Sequence, residues 1–236
     1  MIGDDTASTS RPRLSQRIVP LRCNSMNTTP ARLFGLVAAA IALQLTLVPL
    51  PVSTAAPCPD VQVVFARGTT EPPGVGGIGG AFVDSLRARV GPRSVGVYAV
   101  NYPASSDFVT STPAGANDAS AHIQSMAGNC PGTRLVLGGY SQGAAVIDMA
   151  TNAMPPTVAN HVAADAVFGA PRSTFADTLA PGPSPVTGPL YVGKTIELCV
   201  PNDPICWESG WDMRAHGAYV QTGMVDQAAD YAAGRL

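Results

Sequence analysis

Arg134-Leu135-Val136-Leu137-Gly138 runs without a break into Gly139-Tyr140-Ser141-Gln142-Gly143, and Ala144-Ala145-Val146-Ile147-Asp148-Met149 follows directly. The first segment is short and apolar like a buried strand, and the last has helical spacing. A G-x-S-x-G between a strand and a helix is a nucleophile elbow, because so tight a turn needs glycine on both sides if strand and helix are to approach without a clash. The serine hydroxyl is thereby pushed outward at a helix N-terminus. Unsatisfied backbone N–H groups there face any oxyanion formed on an attacked carbonyl.

Outward from the elbow, Val61 to Ala66, Val95 to Val100, Val162 to Phe168 and Thr195 to Val200 read as further strands, with Leu135 to Gly138 the elbow strand. Ala81 to Val90, Ala116 to Met126, Ala144 to Met154 and about Gly217 to Leu236 have helical spacing. Strands alternating with helices predict an α/β fold: a mostly parallel central sheet of about five strands, flanked by helices on both faces. In such a sheet the site lies at the carboxyl ends of the strands. Pro181 to Pro189 is a surface loop by composition.

With 46% hydrophobic and 13% charged residues in 236, the chain buries a sizeable core and is not disordered. Its N-terminal part differs. Arg32 precedes the uncharged run Leu33 to Leu50, and Val52-Ser53-Thr54-Ala55-Ala56 follows with small residues at Ser53 and Ala55. Residues 1–55 therefore read as an extension plus a secretory signal removed after Ala55, leaving 56–236 as one catalytic domain. A transmembrane anchor is the rival reading, disfavoured by Gln44, Pro49 and Pro51. Translation can start at Met1 or at Met26, and the second start gives a compact signal. Removal takes five of the fourteen basic and two of the sixteen acidic residues, leaving nine against fourteen. No basic patch remains for nucleic acid.

Export also removes Cys23 and leaves Cys58, Cys130, Cys199 and Cys206. Four cysteines allow three connectivities, and in an exported chain bridges are expected rather than metal ligation. Pairing of the sequence neighbours Cys199 and Cys206 is the simplest, which leaves Cys58 with Cys130.

A serine hydroxyl needs a base to take its proton, and the base needs a carboxylate to fix its tautomer. Of the three histidines, His122 falls inside a helix and His161 at the wrong end of a strand, so both are assigned to surface or capping roles. Only His216 lies far enough downstream to leave room for an acid in the order Ser, acid, His. Asp165, Asp177, Glu197, Asp203, Glu208 and Asp212 stand between. Asp165 and Glu197 fall within strands. Asp203 sits in Cys199-Val200-Pro201-Asn202-Asp203-Pro204-Ile205-Cys206, a loop that prolines and a bridge would stiffen, which suits an orienting carboxylate.

Phe65-Ala66-Arg67-Gly68-Thr69-Thr70-Glu71, Gly139 to Gly143, the C-x-x-x-D-x-x-C loop and His216 thirteen residues beyond Asp203 together resemble the cutinase family, most closely its secreted mycobacterial members. The resemblance spans Cys58 to Leu236. It implies a secreted serine esterase with a small α/β-hydrolase fold, and supports the bridges Cys58 to Cys130 and Cys199 to Cys206. By position it makes Ser141 the nucleophile, His216 the general base, Asp203 its orienting carboxylate, and Thr69 and Gln142 the oxyanion donors. The expected chemistry is acyl transfer through an acyl-enzyme, with no cofactor and no metal. Activity is expected to fall in acid, where the base is protonated. Pro103, Phe108, Val109, Ile205 and Met213 are candidates for an acyl groove. Short- to medium-chain fatty-acyl esters are the first expectation, with lipids or polyesters beyond them. An acetylxylan-type carbohydrate esterase and a catalytically idle lipid-binding antigen are the alternatives. A monomer that touches a lipid surface only transiently is the expected assembly.

Overall fold

The computed structural model describes residues 57–180 and 182–236; the extension, signal and cleavage site read from residues 1–55, and Cys23, lie outside the described residues. The strands β1 (Val61–Ala66), β2 (Val95–Ala99), β3 (Arg134–Tyr140), β4 (Val162–Phe168) and β5 (Thr195–Leu198) form one sheet in the order β2-β1-β3-β4-β5. Every neighbouring pair is parallel. β1 and β4 are buried at each position, as strands covered on both faces must be.

Six helices cover the sheet among the described residues: α1 (Gly76–Arg89), α2 (Phe108–Asn129), α3 (Gln142–Ala153), α4 (Pro156–Ala159), α5 (Thr174–Asp177) and α6 (Met224–Ala233). Alternation along β1 divides the core. Val61, Val63 and Phe65 pack with Phe82 and Leu86 of α1 and Ala228 of α6, whereas Val64 and Ala66 pack with Ala119 and Ile123 of α2 and Val146 and Ile147 of α3.

The sheet order positions the site. The chain leaves β1 for the edge strand β2, then returns to lay β3 on the other side of β1, so the connections diverge between β1 and β3. That reversal opens a crevice at the carboxyl ends of the two strands. Ala66 pairs with Gly139 there, so the loops carrying Thr69 and Ser141 leave the sheet side by side.

Several boundaries depart from the periodicity. α1 starts at Gly76 rather than Ala81 and takes in a glycine-rich first turn, in which Gly79 is demanded by packing: a Cβ there would lie 2.6 Å from the Phe65 ring. The Gly77 N–H at its start donates to Glu71 Oε1 over 2.8 Å. α2 starts at Phe108 rather than Ala116, since Asp107 caps it by accepting from the Thr110 N–H, and Pro113 is tolerated near the start. The last helix starts at Met224 rather than near Gly217. Residues 215–217 form a single 3-10 turn, and Gly223, at φ 74°, turns the chain before α6. α4 and α5 are too short to leave a periodic signal. Two disulfides join Cys58 to Cys130 and Cys199 to Cys206.

Candidate active site

Ser141 occupies the single residue between β3 and α3 with φ 56° and ψ −119°. A side chain there is strained, and the surroundings hold it: the Ser141 N–H donates to Phe168 O of β4 over 2.9 Å. The flanking glycines are both required. A Cβ on Gly139 would come 2.2 Å from Gly143 O, and one on Gly143 would come 2.0 Å from Ala66 O. The elbow is thus pressed against the end of β1.

The loop after β5 and the turn before α6 converge on this hydroxyl. His216 Nε2 lies 2.9 Å from Ser141 Oγ, and His216 Nδ1 lies 2.8 Å from Asp203 Oδ2. Asp203 is fully buried. Its Oδ1 accepts from the Ile205 N–H over 2.9 Å, and its Oδ2 accepts a second bond, over 2.5 Å, from the Tyr219 hydroxyl. Burial alone would raise the Asp203 carboxyl; the hydrogen bonds from His216 and Tyr219, the imidazole charge and the Ile205 N–H outweigh it and hold the group below its ordinary value. Tyr219 is itself fully buried, and burial together with the Asp203 charge drives its phenol well above the usual range. The imidazole is fixed from two more sides. The Tyr140 hydroxyl donates to the backbone carbonyl of His216 over 2.8 Å. Gly169, at φ 58°, leaves no room behind it: a Cβ there would lie 2.8 Å from the Tyr219 hydroxyl and 2.9 Å from His216 Cε1.

Across the crevice, the loop after β1 is tied down by its own charged residues. Buried Arg67 donates through Nε to Glu71 O over 2.8 Å and through its terminal nitrogen to Tyr102 O over 2.8 Å. Glu71 Oε2 accepts from the Gly68 N–H over 2.6 Å. Thr69 projects from this loop, and its hydroxyl donates to Gln142 Oε1 over 3.3 Å. The Gln142 backbone N–H opens α3, where helix donors lack intrahelical partners.

A cavity of about 260 Å³ opens beside Ser141 and Gln142. Its walls are mainly apolar and include Phe108, Val109 and Ile205 of the expected groove; Pro103 and Met213 are not part of it. Below the sheet's far half lies a second group of charges. Asp148 of α3 is fully buried and accepts from Arg172 over 2.7 Å, and Arg172 also reaches Glu197 of β5 over 3.1 Å. Asp165 of β4, also fully buried, is pushed up to about 8 by burial and by the neighbouring carboxylates of Asp148 and Glu197.

A parallel five-stranded sheet with serine, imidazole and carboxylate in one hydrogen-bonded line is the frame on which comparison with known proteins becomes informative. The family model described as Cutinase matches residues 57–236. The chain belongs to the cutinase family. A carboxylesterase of Mycobacterium tuberculosis, Culp1, is 56% identical over 213 residues, covering 88% of this chain and 98% of that protein. The phospholipase Culp4 of the same organism is 50% identical over 217 residues, covering 87% and 92%. Among solved structures, a Trichoderma reesei cutinase in complex with a phosphonate inhibitor superposes with a TM-score of 0.62 at 35% identity, covering 75% of this chain and 77% of the other. An acetylxylan esterase shares the fold, with a TM-score of 0.65 at 23% identity over 76% of this chain and 99% of its own. This cutinase-family chain is a carboxylic ester hydrolase with an α/β-hydrolase fold.

Within the cutinase fold, Ser141, His216, Asp203, Thr69 and Gln142 all meet in one crevice. The other two histidines stand apart from that constellation. His161 is half-buried ahead of β4, and His122 is half-buried rather than on the surface, its ring stacked on Tyr98 with centroids 3.5 Å apart. Tyr219 and Gly169 are not singled out by the sequence, and Arg67 and Glu71 enter there only as members of the motif that follows β1. Tyr219, three residues after His216 and just beyond the 3-10 turn, is the one that spacing could have flagged.

Proposed function

We propose that the chain hydrolyses short- to medium-chain fatty-acyl esters through Ser141, His216 and Asp203. The observation that carries this reading is the continuous line of hydrogen bonds from Ser141 Oγ through both ring nitrogens of His216 to a buried, ionised Asp203. Neutral His216 takes the serine proton as Oγ attacks the ester carbonyl, and Asp203 stabilises the imidazolium that forms. The oxyanion is received by the Gln142 N–H and by Thr69, whose hydroxyl turns from Gln142 Oε1 to the new charge. His216 then gives its proton to the departing alcohol, and water, deprotonated by the same ring, releases the acid from Ser141. No step asks for a cofactor. The mainly apolar cavity at Ser141 supports an aliphatic acyl group, and the likeness to a relative named a phospholipase makes lipid esters part of the range to be tested. A secreted monomer is the proposed form. Two disulfides suit an oxidising compartment, and N-terminal sequencing of exported protein is expected to begin at Ala56.

The test pairs a fluorophosphonate probe with a series of nitrophenyl esters, acetylated xylan and a phospholipid. Ser141→Ala is expected to abolish labelling and to lower kcat by about 10⁴- to 10⁶-fold with the fold intact by circular dichroism. Persistent labelling of that variant, or no labelling of folded wild-type protein, overturns the reading. Acetylated xylan as the preferred substrate replaces the fatty-acyl assignment.

A further inference from the structure

The apolar cavity beside Ser141 has a wall whose position is set by residues away from the reacting atoms. Ser184 and Pro185 belong to a strap, residues 182–187, that lines the cavity together with Phe108 and Thr112 of α2. Such a proline-rich stretch has no ladder of its own to hold it. It is held by α3, the helix that Ser141 heads. Ala145 and Met149 line the cavity, and the next residues on that side of the helix turn polar and bind the strap. Asp148 Oδ1 accepts from the Thr187 hydroxyl over 2.7 Å, Asn152 Nδ2 donates to Val186 O over 2.7 Å, and Thr151 Oγ1 accepts from the Gly188 N–H over 2.8 Å. Arg172, paired with Asp148, donates to Pro185 O over 2.8 Å. Asp148 is seven residues after Ser141, two turns down one face of the same helix, so nucleophile and strap are referred to one rigid element.

We propose that the strap between Gly182 and Thr187 is the wall that limits acyl-chain length, and that Asp148, with Asn152 and Arg172, is the positioning clip that fixes its distance from Ser141. This rests on the esterase reading above. The cavity takes the acyl chain rather than the alcohol because His216 is not among its walls: the alcohol must leave beside the ring that protonates it, on the other side of the serine. At about 260 Å³ the cavity is small beside the about 300 to 1,000 Å³ of common ligand sites, which suits a chain that ends inside it. None of the clipping side chains lines the cavity, so their effect is a change in which ester is chosen.

The experiment measures kcat/KM for nitrophenyl butanoate, octanoate and dodecanoate, and in parallel for acetate esters of butanol, octanol and dodecanol. The double variant Asn152→Ala/Thr187→Val removes two clips at positions that are not buried and leaves Asp148 paired with Arg172. It is expected to raise the dodecanoate-to-butanoate ratio by about 10-fold, the scale at which an apolar pocket discriminates small length differences. Ser184→Phe, which fills the cavity from the strap, is expected to lower the same ratio by at least as much. Matching melting temperatures exclude misfolding, and either variant alone keeps the proposal open to refutation if the other does not fold. Ratios that stay at the wild-type value in a folded, active variant overturn the strap proposal, as does a change confined to the alcohol series. Wild-type protein inactive on every ester instead overturns the esterase reading on which it rests.

Discussion

Asp203 and Asp165 are both fully buried carboxyl groups at the same sheet, yet their surroundings drive them in opposite directions. Asp203 is met by donors that carry no negative charge: an imidazole N–H, a phenol and a backbone N–H. Its carboxyl is held below the ordinary value despite burial. Asp165 has one long bond, 3.4 Å from the Thr195 hydroxyl, its Oδ1 has no partner, and two further carboxylates stand nearby. Burial then dominates and the group keeps its proton to about pH 8. The difference teaches that burial alone does not set the charge of a carboxyl group; the donors and charges around it decide how far burial prevails.

Replacing each member of the comparison tests it. Asp203→Asn keeps the shape but cannot orient the neutral tautomer, so kcat is expected to drop about 10⁴-fold while the protein stays folded; a loss under 10-fold would remove Asp203 from the proposed triad. Tyr219→Phe leaves His216 on Asp203 and deletes the second donor. We expect kcat to fall about 10-fold, the scale of one hydrogen bond to a charged group. The midpoint of the acid limb of the pH–rate profile should move up, because a carboxylate freed of one donor pulls harder on the imidazolium. A lower rate with an unmoved pH profile would reduce Tyr219 to packing. Asp165→Asn is the smallest on activity, with no change in kcat expected. Its effect is on stability against pH. In the wild-type protein the folded state holds the Asp165 proton to about pH 8, whereas the unfolded chain loses it near the ordinary carboxyl value of 3.8. Folding stability therefore falls as pH rises across that window. The variant lacks this slope, so urea unfolding between pH 4 and 8 should give a curve less steep by about 1 kcal/mol per pH unit. Parallel curves would mean that Asp165 is ionised in the folded protein.

The two carboxyl groups also differ in how far sequence revealed them. Asp203 was legible because its loop carries local marks: prolines, flanking cysteines and a fixed distance to His216. Ser141 was legible for the same reason, its glycines being demanded by a turn within five residues. Asp165 read only as part of an apolar strand, since its character comes from complete burial and then from Asp148 and Glu197, each brought close by a different element. The β-strands were readable because burial on both faces leaves continuous apolar runs. The starts of α1 and α2 were not. Position 79 within α1 is glycine, a helix-disfavouring residue, because Phe65 occupies the space a side chain would need, and α2 begins upstream behind one aspartate cap. Glu71 and Arg67 act through contacts that spacing alone does not announce.

Gly169 extends this to evolvability. It touches no substrate and donates only to Leu198 O, yet even one methyl on it would press on both the His216 ring and the Tyr219 phenol. A saturation library at that codon, selected for ester turnover, should return glycine alone. Directed evolution of this scaffold thus has a fixed point hidden behind the imidazole.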